Sequence, residues 1–168
     1  FKDCEDCRVE GNMMKASYGG PDTGQGWCFG LATIVSSSIA GGGSPYHRNH
    51  RITFKNNWAD SCYTGLMLTH SAYDGVVHAQ VPIKDVLVEN NLFTNMGWYP
   101  ALTQWTDRNS IGRFAIKQTL GSKNVQIRNN TMRSRSDYWM GLLMYEGQYP
   151  DRRVLDFQFE NNIIPHTG

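Results

Sequence analysis

His70, Arg113, Lys117, Tyr145 and Glu146 are the residues of this 168-residue chain whose types and spacing fit proton-transfer chemistry. They fall in a motif that begins with a small residue and continues in alternation: Gly30-Leu-Ala-Thr-Ile-Val35, Gly65-Leu-Met-Leu-Thr-His70, Arg113-Phe-Ala-Ile-Lys-Gln118 and Gly141-Leu-Leu-Met-Tyr-Glu146. Aligned in that way, Leu31, Leu66, Phe114 and Leu142 point inward. Ala32, Met67, Ala115 and Leu143, then Ile34, Thr69, Lys117 and Tyr145, point outward. The third inward place reads Val35, His70, Gln118, Glu146, polar in three copies of four. Elimination beside a carboxylate needs a cation to neutralise the acid and a base to take the adjacent proton, and Lys, Arg, His and Tyr serve as such bases. Hydrolysis of a glycosidic bond needs instead two carboxyl groups about 5–9 Å apart. Asp60, Asp74, Asp107, Asp137 and Glu146 are the candidates, and no motif pairs them.

The segments between these motifs differ in length and content. Residues 36–45 contain Gly41-Gly-Gly43, and residues 70–82 and 97–112 carry Tyr73, Asp74, His78, Trp98, Tyr99, Trp105, Asp107 and Arg108. Loops positioned by a rigid scaffold are where binding residues concentrate. Trp98, Tyr99 and Trp105 suit stacking on the apolar face of a sugar ring, with coverage of an underlying sheet as the plainer role.

Composition excludes several classes. A formal charge of +1, with Lys and Arg scattered along the chain, lacks the electrostatic footprint of a nucleic-acid binder. No apolar run approaches the length of a membrane span. The five histidines are not spaced as metal ligands on one element, and no second Cys pair matches Cys4-x-x-Cys7 as a zinc site, so no metal or other cofactor is indicated. Cys4, Cys7, Cys28 and Cys62 read either as buried small residues or, in an oxidising compartment, as two disulfides, with Cys28 and Cys62 the pair placed to bond. Asn129-Asn-Thr131 is a glycosylation sequon inside a repeat, and Arg128, Arg133 and Arg135 form a local basic patch that reads as a solvated face.

The element that must position these residues is a second repeat. Asp6 to Met14, Arg51 to Ala59, Asp85 to Phe93, Asn124 to Met132 and Asp156 to Ile164 share apolar, polar, apolar, polar, Asn or Gly, Asn, any residue, apolar. Alternation predicts a strand with Cys7/Val9, Ile52/Phe54, Val86/Val88, Val125/Ile127 and Phe157/Phe159 on its buried face. The column Gly11, Asn56, Asn90, Asn129, Asn161 is what a positive-φ bend selects. Asn12, Asn57, Asn91, Asn130 and Asn162 follow it, and stacking at the strand spacing of about 4.8 Å would let their amides bond to one another. An apolar residue then returns (Met14, Ala59, Phe93, Met132, Ile164), as if a second short strand begins at once. A unit this short buries nothing alone, so the period predicts a stacked solenoid.

In these repeats, from about Asp3 to Ile164, the chain resembles the right-handed parallel β-helix proteins of the pectin lyase-like superfamily. The stretches Val9-Glu-Gly-Asn12, Asn56-Asn-Trp-Ala-Asp60, Gly112-Arg-Phe-Ala-Ile116 and Phe159-Glu-Asn-Asn-Ile-Ile-Pro-His166 look most like its bacterial members. The resemblance implies an all-β solenoid of about five coils with long rim loops and a secreted or cell-surface location; residues 1–168 read as one domain, and the lack of an initiator Met, signal peptide and capping helix leads us to expect that it is part of a longer chain. It also implies a polysaccharide partner, bound or processed; the catalytic set His70, Arg113, Lys117, Tyr145 and Glu146 rests instead on the residues themselves, which come from neighbouring coils and are expected on one face. The signatures of polygalacturonases (Asn-Thr-Asp, Asp-Asp, Gly-His, Arg-Ile-Lys) are absent, as are the acidic calcium cluster and Arg-x-Pro-x-x-Arg of pectate lyases, so calcium stays open on the resemblance alone. The other expectation is a non-catalytic structural or adhesive rod that associates end to end.

Overall fold

Alternating segments of three to seven residues cover their apolar faces only by lying side by side. The computed structural model describes residues 4–16, 27–35, 49–72, 83–96, 114–119, 122–134, 140–145 and 154–164. Their regular structure is all β-strand: β1 (Cys4–Glu5), β2 (Arg8–Glu10), β3 (Met13–Lys15), β4 (Trp27–Val35), β5 (Asn49–Lys55), β6 (Trp58–Asp60), β7 (Thr64–Ala72), β8 (Ile83–Glu89), β9 (Leu92–Thr94), β10 (Phe114–Thr119), β11 (Ser122–Arg128), β12 (Thr131–Arg133), β13 (Met140–Tyr145) and β14 (Val154–Glu160). They pair in parallel within three sheets. The first runs β1-β5-β8-β11-β14 with β2 also against β5, the second β3-β6-β9-β12, and the third β4-β7-β10-β13. Each sheet takes one strand from each successive repeat, an arrangement compatible with a solenoid.

The core lies between the sheets. Ile52, Phe54, Val86, Val88, Val125 and Ile127 are buried from the first sheet, and Ala59, Phe93 and Met132 from the second. Leu66, Leu68 and Ile116 enter from the third, and Cys7, Phe157 and Phe159 pack against this cluster while only partly buried. Gly65 lets the third sheet approach the second closely, since a Cβ there would collide with the Phe93 ring and the Ala115 carbonyl.

Positive φ makes the corners. Gly11, Asn56, Asn90, Asn129 and Asn161 all have it, between 52° and 67°. Two further columns adopt it: Asp6, Arg51, Asp85, Asn124 and Asp156 in the first sheet, and Ala16, Ser61 and Asn95 after the second. A left-handed conformation costs an L-residue roughly 1–2 kcal/mol. In each column the N–H of the strained residue is captured by the next repeat: Asp6 by the His50 carbonyl, Gly11 by Lys55, Ala16 by Asp60. In β5, β8 and β11 the strained residue interrupts alternation, so that Asn49 and Ile52, Ile83 and Val86, and Ser122 and Val125 are buried together. This is a bulge-like insertion.

The register of the third sheet corrects the alignment read from sequence. Phe114 pairs with Thr64 and Met140, and Ile116 with Leu66 and Leu142. Gly65 is therefore level with Ala115, two residues beyond Arg113, and Leu66 is level with Phe29 instead of Leu31. A two-residue slip leaves every side chain on its original face, so the alternation alone could not detect it. The expected polar column is dissolved by the same slip: Gln118 pairs with Leu68 and Met144, His70 with Thr33, and Val35 with Ala72.

Gln118 is fully buried, and neither amide atom finds a hydrogen-bond partner among the described residues. A buried amide without partners costs about 1–3 kcal/mol. Gln118→Leu, which matches Leu68 beside it, is expected to raise unfolding stability by that amount. Urea unfolding followed by circular dichroism measures it, and a neutral or destabilising result would mean that the amide is satisfied.

Candidate functional site

Lys117 is the candidate catalytic residue whose side chain is described. β10 holds it level with Met67 of β7 and Leu143 of β13. It is half-buried, and burial pulls its ammonium below the ordinary lysine value of 10.5. A lysine so placed is nearer to the neutral base form at neutral pH than one in water. Tyr145 pairs with Thr119, two positions past Lys117, and His70 lies one position beyond that level on β7. At about 3.3 Å per residue those offsets are about 7 and 10 Å along the strands. Topology thus puts Lys117, Tyr145 and His70 on neighbouring strands of one sheet without setting them at one level. Arg113, Glu146, Trp98, Tyr99 and Trp105 lie outside the described residues, as do Asp74, Asp107 and Asp137.

A second grouping has no signature in the sequence. On β3, β6 and β9, Lys15 Nζ sits 4.4 Å from the centroid of the Trp58 ring. Trp58 Nε1–H donates to Thr94 Oγ1 at 2.9 Å, Thr94 Oγ1–H to Asp60 Oδ1 at 2.5 Å, and Asn95 Nδ2–H to the same Asp60 oxygen at 2.9 Å. Burial by itself would raise the Asp60 carboxyl, but the donations from Thr94, Asn95 and Ser61 outweigh it and hold the group below the usual range. Asp60 is therefore an anchored carboxylate, unsuited to the proton-donor half of a hydrolytic pair. Trp58 reads in sequence only as the variable place after Asn-Asn. Its partner Thr94 is a repeat away, which no local signal reveals.

No protein-family model, curated protein or solved structure matches this chain.

The outer face of the first sheet carries charge of alternating sign. Glu10 pairs in register with Lys55, Lys55 with Glu89, Glu89 with Arg128 and Arg128 with Glu160. Lys55 Nζ and Arg128 Nε reach Glu89 at 2.8 and 2.9 Å, and their hydrogen bonds and charge depress its carboxyl. Arg128 is thus engaged by Glu89 instead of standing as one of a free basic patch. Cys28 is bonded to Cys62, with Cα atoms 5.7 Å apart, and Cys4 to Cys7, at 5.9 Å. Among the described residues no three His, Cys, Asp or Glu side chains converge as a metal site, and no helix is long and apolar enough to cross a membrane.

Proposed function

We propose that this chain is a right-handed parallel β-helix of the pectin lyase-like kind, with about five coils and a ladder of asparagines lining one corner, and that outside the cell it binds or processes a uronate-bearing polysaccharide. The observation that carries the reading is Lys117: a half-buried lysine fixed on a rigid strand between Met67 and Leu143. In the elimination, neutral Nζ takes the proton α to the uronate carboxylate, the bond to the leaving sugar oxygen breaks, a carbon–carbon double bond forms, and that oxygen is reprotonated by water. Arg113 would neutralise the carboxylate, with Tyr145, an even two positions along from the Lys117 level, completing the catalytic set; His70, at an odd offset of three, falls at a place on the other face of the sheet, and alternation assigns Glu146, next to Tyr145, to that face too. Trp98, Tyr99 and Trp105 would stack on flanking sugars. Two disulfides agree with an oxidising, extracellular setting.

The test is ultraviolet absorbance from the conjugated product on a panel of uronate polymers. Wild type is expected to produce it, and Lys117→Ala to lose about 100-fold or more in rate. The rate should rise with pH as Lys117 deprotonates, through a value below 10.5, because only the neutral amine accepts the proton. Absence of product on every polymer rejects the lyase. The second reading, a non-catalytic structural or adhesive rod, would then stand. It is favoured by the exposed apolar side chains of Met13 (57%) and Ile163 (60%), which a partner surface would cover.

A further inference from the structure

We infer that the outer face of the first sheet holds a second, non-catalytic glycan site, in which Lys84 and Lys123 take the carboxylates of an acidic polysaccharide lying across β8 and β11. This site deepens the polysaccharide reading above and rests on it for the class of ligand, while needing no catalysis at Lys117.

Charge singles out the two lysines. The other described lysines and arginines of that sheet are each matched by an acid: Arg8 by Glu10, Arg51 by Glu5 and Asp6, Lys55 and Arg128 by Glu89. Lys84 and Lys123 stand directly opposite each other on neighbouring parallel strands, about 4.8 Å apart at the backbone. Neither enters an ion pair among the described residues, and the residues level with them on either side are His50 and Leu155, not acids. Like charges so placed are destabilising. An anion seated between them turns that repulsion into charge-assisted hydrogen bonds. Asp85, the nearest acid along the chain, is exposed, and its Oδ1 accepts from Asn124 Nδ2 at 2.8 Å.

Topology and the adjoining side chains decide which anion. β8 is paired on both sides, by β5 and β11, and β11 by β8 and β14, so their main-chain groups are spent within the sheet. An acidic peptide, which would gain affinity by adding a strand to an open edge, finds none there. Farther along the same strands Leu87 and Gln126 lie level with each other, with Thr53 beside Leu87, and all three are half-buried. The Gln126 amide has no side-chain partner among the described residues. An apolar patch beside a hydroxyl and an amide suits the C–H face and the hydroxyls of a sugar whose carboxylates reach the two lysines.

Lysine acetylation read by mass spectrometry tests the site residue by residue. The protein is the whole 168-residue chain carrying Lys117→Met, which matches Met67 beside it and removes the candidate base, so that turnover cannot consume the probe. The probe is a galacturonic acid hexasaccharide, with the galactose hexasaccharide as its neutral counterpart. At ten times the half-saturating concentration of the acidic sugar, acetylation of Lys84 and Lys123 is expected to slow about tenfold. Lys15, exposed on the second sheet, is expected to react at its original rate, and the neutral sugar to protect neither lysine. Asp85→Asn, which removes the neighbouring negative charge, is expected to lower the half-saturating concentration about twofold. No protection at Lys84 and Lys123, equal protection by the neutral sugar, or equal protection at Lys15 overturns the inference. A glutamate hexapeptide that protects the pair at a lower concentration than the sugar overturns the choice of ligand. Protection without conjugated product from the wild type rejects the lyase alone, and product without protection rejects this site alone.

Discussion

Asn91→Ala is expected to destabilise the protein by more than about 3 kcal/mol. Asn91 Oδ1 accepts from both the main-chain N–H and Nδ2 of Asn57, and its own Nδ2 donates to the Phe54 carbonyl and to Asn130 Oδ1. Truncation orphans the buried Asn57 N–H and Phe54 carbonyl together, and each such group costs about 1–3 kcal/mol. Asn91→Asp should be nearly as damaging, because a carboxylate accepts from Asn57 but has nothing to donate to Phe54. Asn12→Ala serves as the comparison. Asn12 is exposed and its Nδ2 bonds back to the Glu10 carbonyl of its own repeat, so the expected loss is about 1 kcal/mol. Urea unfolding of the three variants measures the order. Equal small losses at Asn12 and Asn91 would mean that the corner amides do not act as a connected stack.

The second large effect concerns the disulfides, which differ in the length of chain they close. Cys28–Cys62 spans 34 residues and Cys4–Cys7 spans 3. Loop-closure entropy then gives about 4 kcal/mol for the first and about 1.5 kcal/mol for the second. Replacing Cys28 and Cys62 together by Ser should therefore lower unfolding free energy about twice as much as replacing Cys4 and Cys7. Cys28 and Cys62 are also both buried, so the hydroxyls add a desolvation cost that widens the gap. Thermal and urea unfolding of the two double variants, each with the other bridge intact, reads the difference. A larger loss from the short bridge would show that chain entropy is not what the bridges contribute. In that case the native packing of Cys4 beneath the first sheet would matter more than the length of loop closed.

The repeat was legible because its signals are local. Alternation assigns Ile52, Phe54, Val86 and Val88 to one face without reference to any other strand, and they are buried. Gly exchanging with Asn marks a left-handed corner because those residues tolerate it best, and Gly11, Asn56 and Asn90 adopt it. The neighbouring column Asp6, Arg51, Asp85, Asn124, Asp156 has the same conformation but was invisible. Asp and Asn, four of its five residues, tolerate positive φ, but Arg51 carries no such preference and breaks the pattern; the structure shows the Asp6 N–H captured by the His50 carbonyl of the next repeat. The candidate site was less legible. Lys117 could be named from its motif, but its apolar neighbours Met67 and Leu143 come from strands on either side. The pairing of Trp58 with Thr94 and Lys15 likewise crosses repeats.

Residue types alone dictate an all-β chain of short strands that must stack. Its apolar faces and corners follow from side-chain chemistry and from periods of two residues, which act within a few positions of each other. Register is settled at a different level: Gly65 beside Ala115, Gln118 between Leu68 and Met144, and Cys4 joined to Cys7 belong to the assembled sheets. The physical reason is that a slip of two residues preserves inside and outside equally well. The choice among such slips falls to cross-strand packing, such as Phe93 filling the space left by Gly65, and those contacts exist only once the sheets have come together.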